Sequence, residues 1–205
     1  MSEKSTAEDL VEPRQLFVLS GPSGVGKNTV ADRLCRRGRA VRAVTATTRR
    51  PRPGEVDGRD YWFVSEEQFS DWMASGRLVE HTRYVGHYYG TPLESVNRAA
   101  ELGLPVILTI DVDGGVQLKE RWPQATLIFL EPPSEDELRR RLSGRGQDDE
   151  ANVARRFARA REEMAYAGRY DFRVVNAELD DAVAQVEQIM ARRCPPRGAS
   201  NGHSR

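Results

Sequence analysis

The chain is predicted to be α/β: a mostly parallel sheet flanked by helices around a phosphate loop, with an inserted mixed α/β lobe and a short lid. Three observations lead there. The apolar run Gln15-Leu16-Phe17-Val18-Leu19-Ser20 breaks into Gly21-Pro22-Ser23-Gly24-Val25-Gly26-Lys27. Short apolar runs then alternate with helix-period segments, the grammar of strands joined by crossover helices. From residue 45 to 92 that grammar is interrupted by a segment rich in Arg, Pro and Tyr.

The elements follow in order. The first strand and loop lead into a helix from Lys27 to about Arg37, with Val30, Leu34 and Cys35 on one side, and then a short strand over Val41–Thr45. Arg49-Arg50-Pro51-Arg52-Pro53-Gly54-Glu55 is irregular, because two prolines bracket an arginine. Asp57-Gly58 reads as a turn and Tyr61–Val64 as a strand. Ser65-Glu66-Glu67-Gln68 is a capping box opening a helix through Phe69, Trp72 and Met73. Residues 78 to 91 make two strands turning at Val85-Gly86-His87. The α/β rhythm resumes with a helix at 93–102, a buried strand at 105–111, a helix at 112–121 and a strand at 125–130. Ser134 caps a helix to about Leu142, a charged loop covers 143–150, and a long helix spans 151–167. Phe172–Asn176 is the last strand and Asp180–Arg193 the closing helix. The expected partition is a disordered segment 1–14, a domain at 15–194 and a disordered tail at 195–205. Within the domain the core is 15–44 and 93–194, the lobe 45–92 and the lid about 143–156.

Glycines after a buried strand let successive backbone N–H groups curl around an anion, and the following helix aims its positive end at the same point. Gly21, Pro22, Ser23, Gly24, Val25, Gly26 and Lys27 fit G-x-x-x-x-G-K, whose lysine adds a full charge for a nucleotide's phosphates. The next position usually carries a hydroxyl for magnesium, but here it is Asn28, followed by Thr29. Asn28 either caps the helix or shares the magnesium contact with a water or Thr29. An Asn28→Ser variant is then expected to bind magnesium more tightly than this chain.

Composition narrows the partners. In 205 residues Lys plus Arg and Asp plus Glu both count 31, so zero net charge argues against bulk binding to nucleic acid or an anionic membrane. Two cysteines outside any metal spacing, and no apolar signal segment, point to a reducing cytoplasmic setting. No apolar run approaches the ~18 residues of a membrane span. His81, His87 and His203 lie apart, and nothing nominates a covalent nucleophile or a metal cage. The sequence leaves monomer or homo-oligomer open.

Thr45, Thr47, Thr48, Arg49, Arg50 and Arg52 form a dense set of donors for a second phosphate, stiffened by proline. Tyr61, Tyr88 and Tyr89 offer hydroxyls and rings, and Glu80 a carboxylate. The run from Thr45 to Tyr61 (TATTRRPRPGEVDGRDY) resembles the signature of guanylate kinase. So do Tyr88-Tyr89-Gly90-Thr91-Pro92, the Ile110-Asp111 strand end, Gly144-Arg145-Gly146, and the acid-rich loop leading to Arg155-Arg156.

The resemblance runs from about Gln15 to Arg193 and implies a P-loop core with a GMP-binding lobe. It implies transfer of a phosphoryl group from ATP to GMP with Mg2+ as cofactor. The loop, Asn28, Thr29 and Asn176 would hold ATP. Thr45, Arg49, Arg52, Glu55, Tyr61, Glu80, Tyr89, Thr91 and Asp111 would hold GMP, with Glu80 accepting from guanine N1–H. Adenine presents an acceptor there, so a buried carboxylate rejects it. Lys27, Arg49, Arg145 and Arg156, with Arg141 as a third closing arginine, would neutralise charge during transfer. Similar kinases usually carry an acid where this chain has Thr109, two residues before Asp111. That departure, with Asn28, keeps open a kinase for a modified guanine nucleotide or another phosphorylated acceptor. A binding module without catalysis is the other alternative, and the intact glycines, Lys27, Arg145 and Arg156 argue against it.

Overall fold

Apolar residues fill both faces of the central strands, so these strands can only lie in a sheet covered on two sides. The computed structural model describes residues 15–84, 86–143 and 150–194. Its first half runs β1 (Leu16–Ser20), α1 (Lys27–Arg36), β2 (Val41–Arg42), β3 (Ala46–Thr47), β4 (Trp62–Phe63), α2 (Glu66–Ala74), β5 (Leu78–Tyr84) and β6 (His87–Pro92). The second runs α3 (Leu93–Ala100), β7 (Val106–Thr109), α4 (Val112–Arg121), β8 (Thr126–Glu131), α5 (Glu135–Ser143), α6 (Glu150–Met164), β9 (Phe172–Val175) and α7 (Leu179–Arg193).

The larger sheet has the order β2-β7-β1-β8-β9, and every pairing is parallel. On β1 and β8, Val18, Leu127 and Phe129 pack on one face with Leu118 and Trp122, whereas Phe17, Leu19, Ile128 and Leu130 pack on the other with Leu34 and Val183. The smaller sheet, β4-β3-β6-β5, is mixed, and Ala46, Phe69 and Leu78 form its own core with Trp62 and Trp72 around it. Among the described residues, no helix is long and apolar enough to cross a membrane.

The expected strand at 41–45 is divided between the sheets. Ala43 still donates to Ile107 O, but Thr45 O already accepts from Trp62 N at 2.8 Å, so the backbone changes sheets between them. The helix expected to reach residue 167 ends at Met164 and continues as a 3-10 turn over Ala165–Arg169. The expected caps at Ser65 and Ser134 are present, with Gln68 N and Glu137 N each donating to the serine oxygen at 3.1 Å. Val85 and residues 144–149, which include the turn tip and most of the expected lid, lie outside the described residues, as do the expected disordered ends 1–14 and 195–205.

Candidate functional site

β1 lies between β7 and β8, and the loop that leaves its carboxyl end is therefore at the position where parallel sheets bind ligands. Gly21, Gly24 and Gly26 have φ of 141°, 85° and 99°, values that L side chains rarely adopt. A methyl on Gly21 would also overlap the Leu130 carbonyl. Gly26 is the N-cap of α1 and no side chain caps that end, so Asn28, inside the first turn and exposed, is not the cap considered above. The reason is steric: the left-handed backbone needed to enter the helix falls on the glycine. Lys27 Nζ folds back over the loop, donating to Gly21 O at 2.6 Å and Pro22 O at 3.1 Å.

Two side chains expected at catalysis or at ATP also brace the loop. Asn176 Nδ2 donates to Val25 O at 2.7 Å, and Arg141 reaches Val25 O at 3.4 Å and Asn176 O at 3.0 Å. Val25 is fully buried, so its carbonyl needs such a partner. Glu137 holds Arg141 Nε at 2.7 Å and fixes its direction. Arg156 reaches Leu142 O at 3.4 Å, joining α6 to α5. Arg145 falls outside the described residues.

The motifs gave no sign of Glu163. This α6 residue is 3% exposed, and its Oε2 accepts from Ser23 N at 3.0 Å, inside the phosphate loop. Burial pushes its pKa up, against the opposing pull of Lys27, the Ser23 N–H and Arg159. A helical charge among helical charges carries no local signature, and only the fold delivers it to the loop.

On the lobe, Arg49 is forked onto Glu55, with both nitrogen–oxygen distances at 2.9 Å, and lies over the rings of Tyr61 and Phe63. Burial opposes the Glu55 charge, but bonds from Arg49 and the Arg52 N–H outweigh it and hold its pKa low. Arg49 is thus aimed by Glu55; burial opposes its charge, but Glu55 and Tyr89 raise its pKa. Glu55 holds the Arg49 guanidinium in this geometry, and Arg52 is exposed. Tyr61 and Tyr89 meet edge to face, their centroids 6.2 Å apart.

Deeper in, Glu80 is 5% exposed and accepts from Thr91 Oγ1 at 2.6 Å. Burial, assisted by the Asp111 charge, pushes the Glu80 carboxyl up to about 8, against the Thr91 bonds. Asp111 caps α4 through Gly114 N at 2.7 Å and accepts from Thr82 Oγ1 at 2.7 Å. Both its oxygens accept a hydrogen bond from protein groups in this geometry. Gly114 lies in the wall around Glu80: a methyl there would stand 2.5 Å from Glu80 Oε2. Thr45 and Thr91 are buried beside this wall, and Thr109 is half-buried at the end of β7.

The structure therefore gathers the expected residues into a loop group, an arginine–tyrosine group and a carboxylate group. The loop and carboxylate groups are linked through Ser20 Oγ, which donates to Asp111 O at 3.2 Å, and Tyr84 lies 6.3 Å from Tyr89 between ring centroids and under the Arg159 guanidinium. For a metal, Asn28 and Thr29 offer neutral oxygens at the exposed head of α1. Among the described residues no group of three or more His, Cys, Asp or Glu is arranged to hold a metal ion. Such a donor set fits magnesium carried largely by phosphate and water oxygens.

Residues 13–193 match a sequence model of the family described as Guanylate kinase. The chain is 48% identical over 186 residues to the guanylate kinase of Gloeobacter violaceus, covering 90% of this chain and 91% of that protein. It is 46% identical over 177 residues to the guanylate kinase of Streptococcus thermophilus, covering 85% of each. The crystal structure of guanylate kinase from Anaplasma phagocytophilum superposes with a TM-score of 0.72 at 31% identity, over 88% of this chain and 87% of that one. Likeness of this extent in both sequence and backbone takes in the loop, the arginine segment and the Glu80 wall together, and the chain belongs to the guanylate kinase family.

Proposed function

We propose that this protein is a nucleoside monophosphate kinase that transfers the γ-phosphoryl group of ATP to GMP, giving ADP and GDP. The observation that carries this reading is the juxtaposition, in a chain of this family, of the glycine loop with a second, differently built anion and base site. The loop amides and Lys27 grip the donor's phosphates, and Arg49, held by Glu55, with Arg52, Tyr61 and Tyr89 takes the phosphate of GMP. Glu80, in its carboxylate form, accepts from guanine N1–H and the exocyclic amine. Thr91 and Thr45 line the same wall, and Asp111 stiffens it.

The acceptor phosphate oxygen is already anionic, so no strong base is required, and alignment with charge neutralisation supplies the rate. Arg156 and Arg145 are assigned to the closing lid, where they would meet the charge that spreads over the transferring group. Magnesium, bound with ATP, would screen the phosphate charges, with Asn28 or Thr29 beside it. The free, half-buried Cys35 and Cys194 suit a reducing compartment, and we assign the protein to the cytoplasm.

Turnover with ATP and a panel of GMP, dGMP, IMP, AMP and UMP tests the reading. GMP should be strongly preferred, Lys27→Ala should abolish turnover with every acceptor, and Glu80→Ala should damage base choice most. Equal use of AMP and GMP by the unaltered protein would overturn the acceptor assignment.

A further inference from the structure

The proposed phosphotransfer does not use Glu163, although this buried carboxylate sits in the loop that binds the donor. It comes from α6, far away in sequence, and takes the Ser23 N–H at 3.0 Å. An N–H of a glycine-rich phosphate loop is an anion donor, and Glu163 is an anion supplied by the protein itself. Burial pushes its pKa up, and positive groups face it in partial compensation. Arg159, one turn earlier on α6, approaches Oε1 at 3.3 Å and is itself held by Asp113 Oδ2 at 3.1 Å. Lys27 adds positive charge from the loop side, while Asp111 at the head of α4 opposes it and Tyr84 of β5 lies alongside.

We propose that Glu163 competes with the donor's phosphates for the phosphate loop, so that nucleotide binding must displace this carboxylate and its strength is set partly by how firmly Arg159 and Asp113 hold α6 against the loop. The inference rests on the assignment of the loop to ATP. Two anions cannot share one N–H at close range without strong repulsion, so the carboxylate has to withdraw as a phosphate arrives.

The test is calorimetric binding of the non-hydrolysable ATP analogue adenylyl imidodiphosphate to the full chain and to Glu163→Gln, with GMP as a control ligand. Gln keeps the shape but removes the charge. Competition predicts that the analogue binds roughly three- to tenfold more tightly to the variant, with GMP affinity unchanged. Glu163→Asp, whose shorter side chain withdraws from Ser23, should move affinity in the same direction and covers the case in which the Gln variant folds poorly. Weaker or equal analogue binding in the variants would show that Glu163 organises the loop for the nucleotide, and would overturn the inference while leaving the kinase reading intact. Failure of the unaltered protein to bind the analogue would overturn both.

Discussion

At Glu80, burial and function pull in opposite directions. The carboxyl titrates near 8 rather than at 4.5, so the folded state binds its proton more tightly than the unfolded chain does. The linkage is fully favourable below pH 4.5 and is lost as pH rises through about 8. Glu80→Gln removes that penalty. Thermal unfolding should therefore show the variant gaining on the parent between those two values, by a few kcal/mol at the alkaline end, while its selectivity for GMP over AMP collapses. A flat difference across pH would mean the carboxyl titrates normally. On the proposed reading guanine bonds the carboxylate, so GMP binding at neutral pH should also release a proton. Calorimetry in buffers of differing ionisation enthalpy reads this directly, and a release of zero would contradict it. Gly114→Ala offers a steric counterpart, because its methyl would press on Glu80 Oε2. It should raise KM for GMP with little change for ATP.

Elements, not motifs, explain why the loop holds its shape. Asn176, just after β9, and Arg141, on α5, converge on the buried Val25 carbonyl. Asn176→Ala leaves that group short of its strongest partner, a loss of about 1–3 kcal/mol. A lower Tm accompanied by a raised KM for ATP is expected, and an unchanged KM would reduce Asn176 to a packing role. In the lobe, Ser65→Ala deletes the cap of α2 and should cost about 1 kcal/mol. Denaturant unfolding measures the loss, and kcat should be nearly unaltered because α2 packs against the smaller sheet and supplies none of the residues proposed for either substrate.

Taken whole, the larger sheet carries the loop proposed for ATP, and the site proposed for GMP spans the smaller sheet and the head of α4, so the proposed substrates occupy separate groups of residues. Each ligand stabilises the part that binds it, by about 2.7 kcal/mol at a concentration of 100 Kd. Together, adenylyl imidodiphosphate and GMP should raise Tm beyond either alone. An identical Tm with both and with one would argue against two sites.

Sequence by itself determined the parallel core, the phosphate loop, the serine caps and the arginine–tyrosine lobe. Each is written in neighbouring residues: glycines that need left-handed backbone, prolines that exclude helix, and apolar runs that demand a covered sheet. Tertiary structure alone decided which polar groups meet. It put Asn176 and Arg141 on the Val25 carbonyl, gave Arg49 to Glu55, turned Asp111 Oδ2 to Thr82, and put Glu163 on the Ser23 N–H. Those pairings join residues as much as 151 positions apart, as in Asn176 and Val25, or obey the demand that buried polar groups be satisfied. Neither cause leaves a local pattern to read.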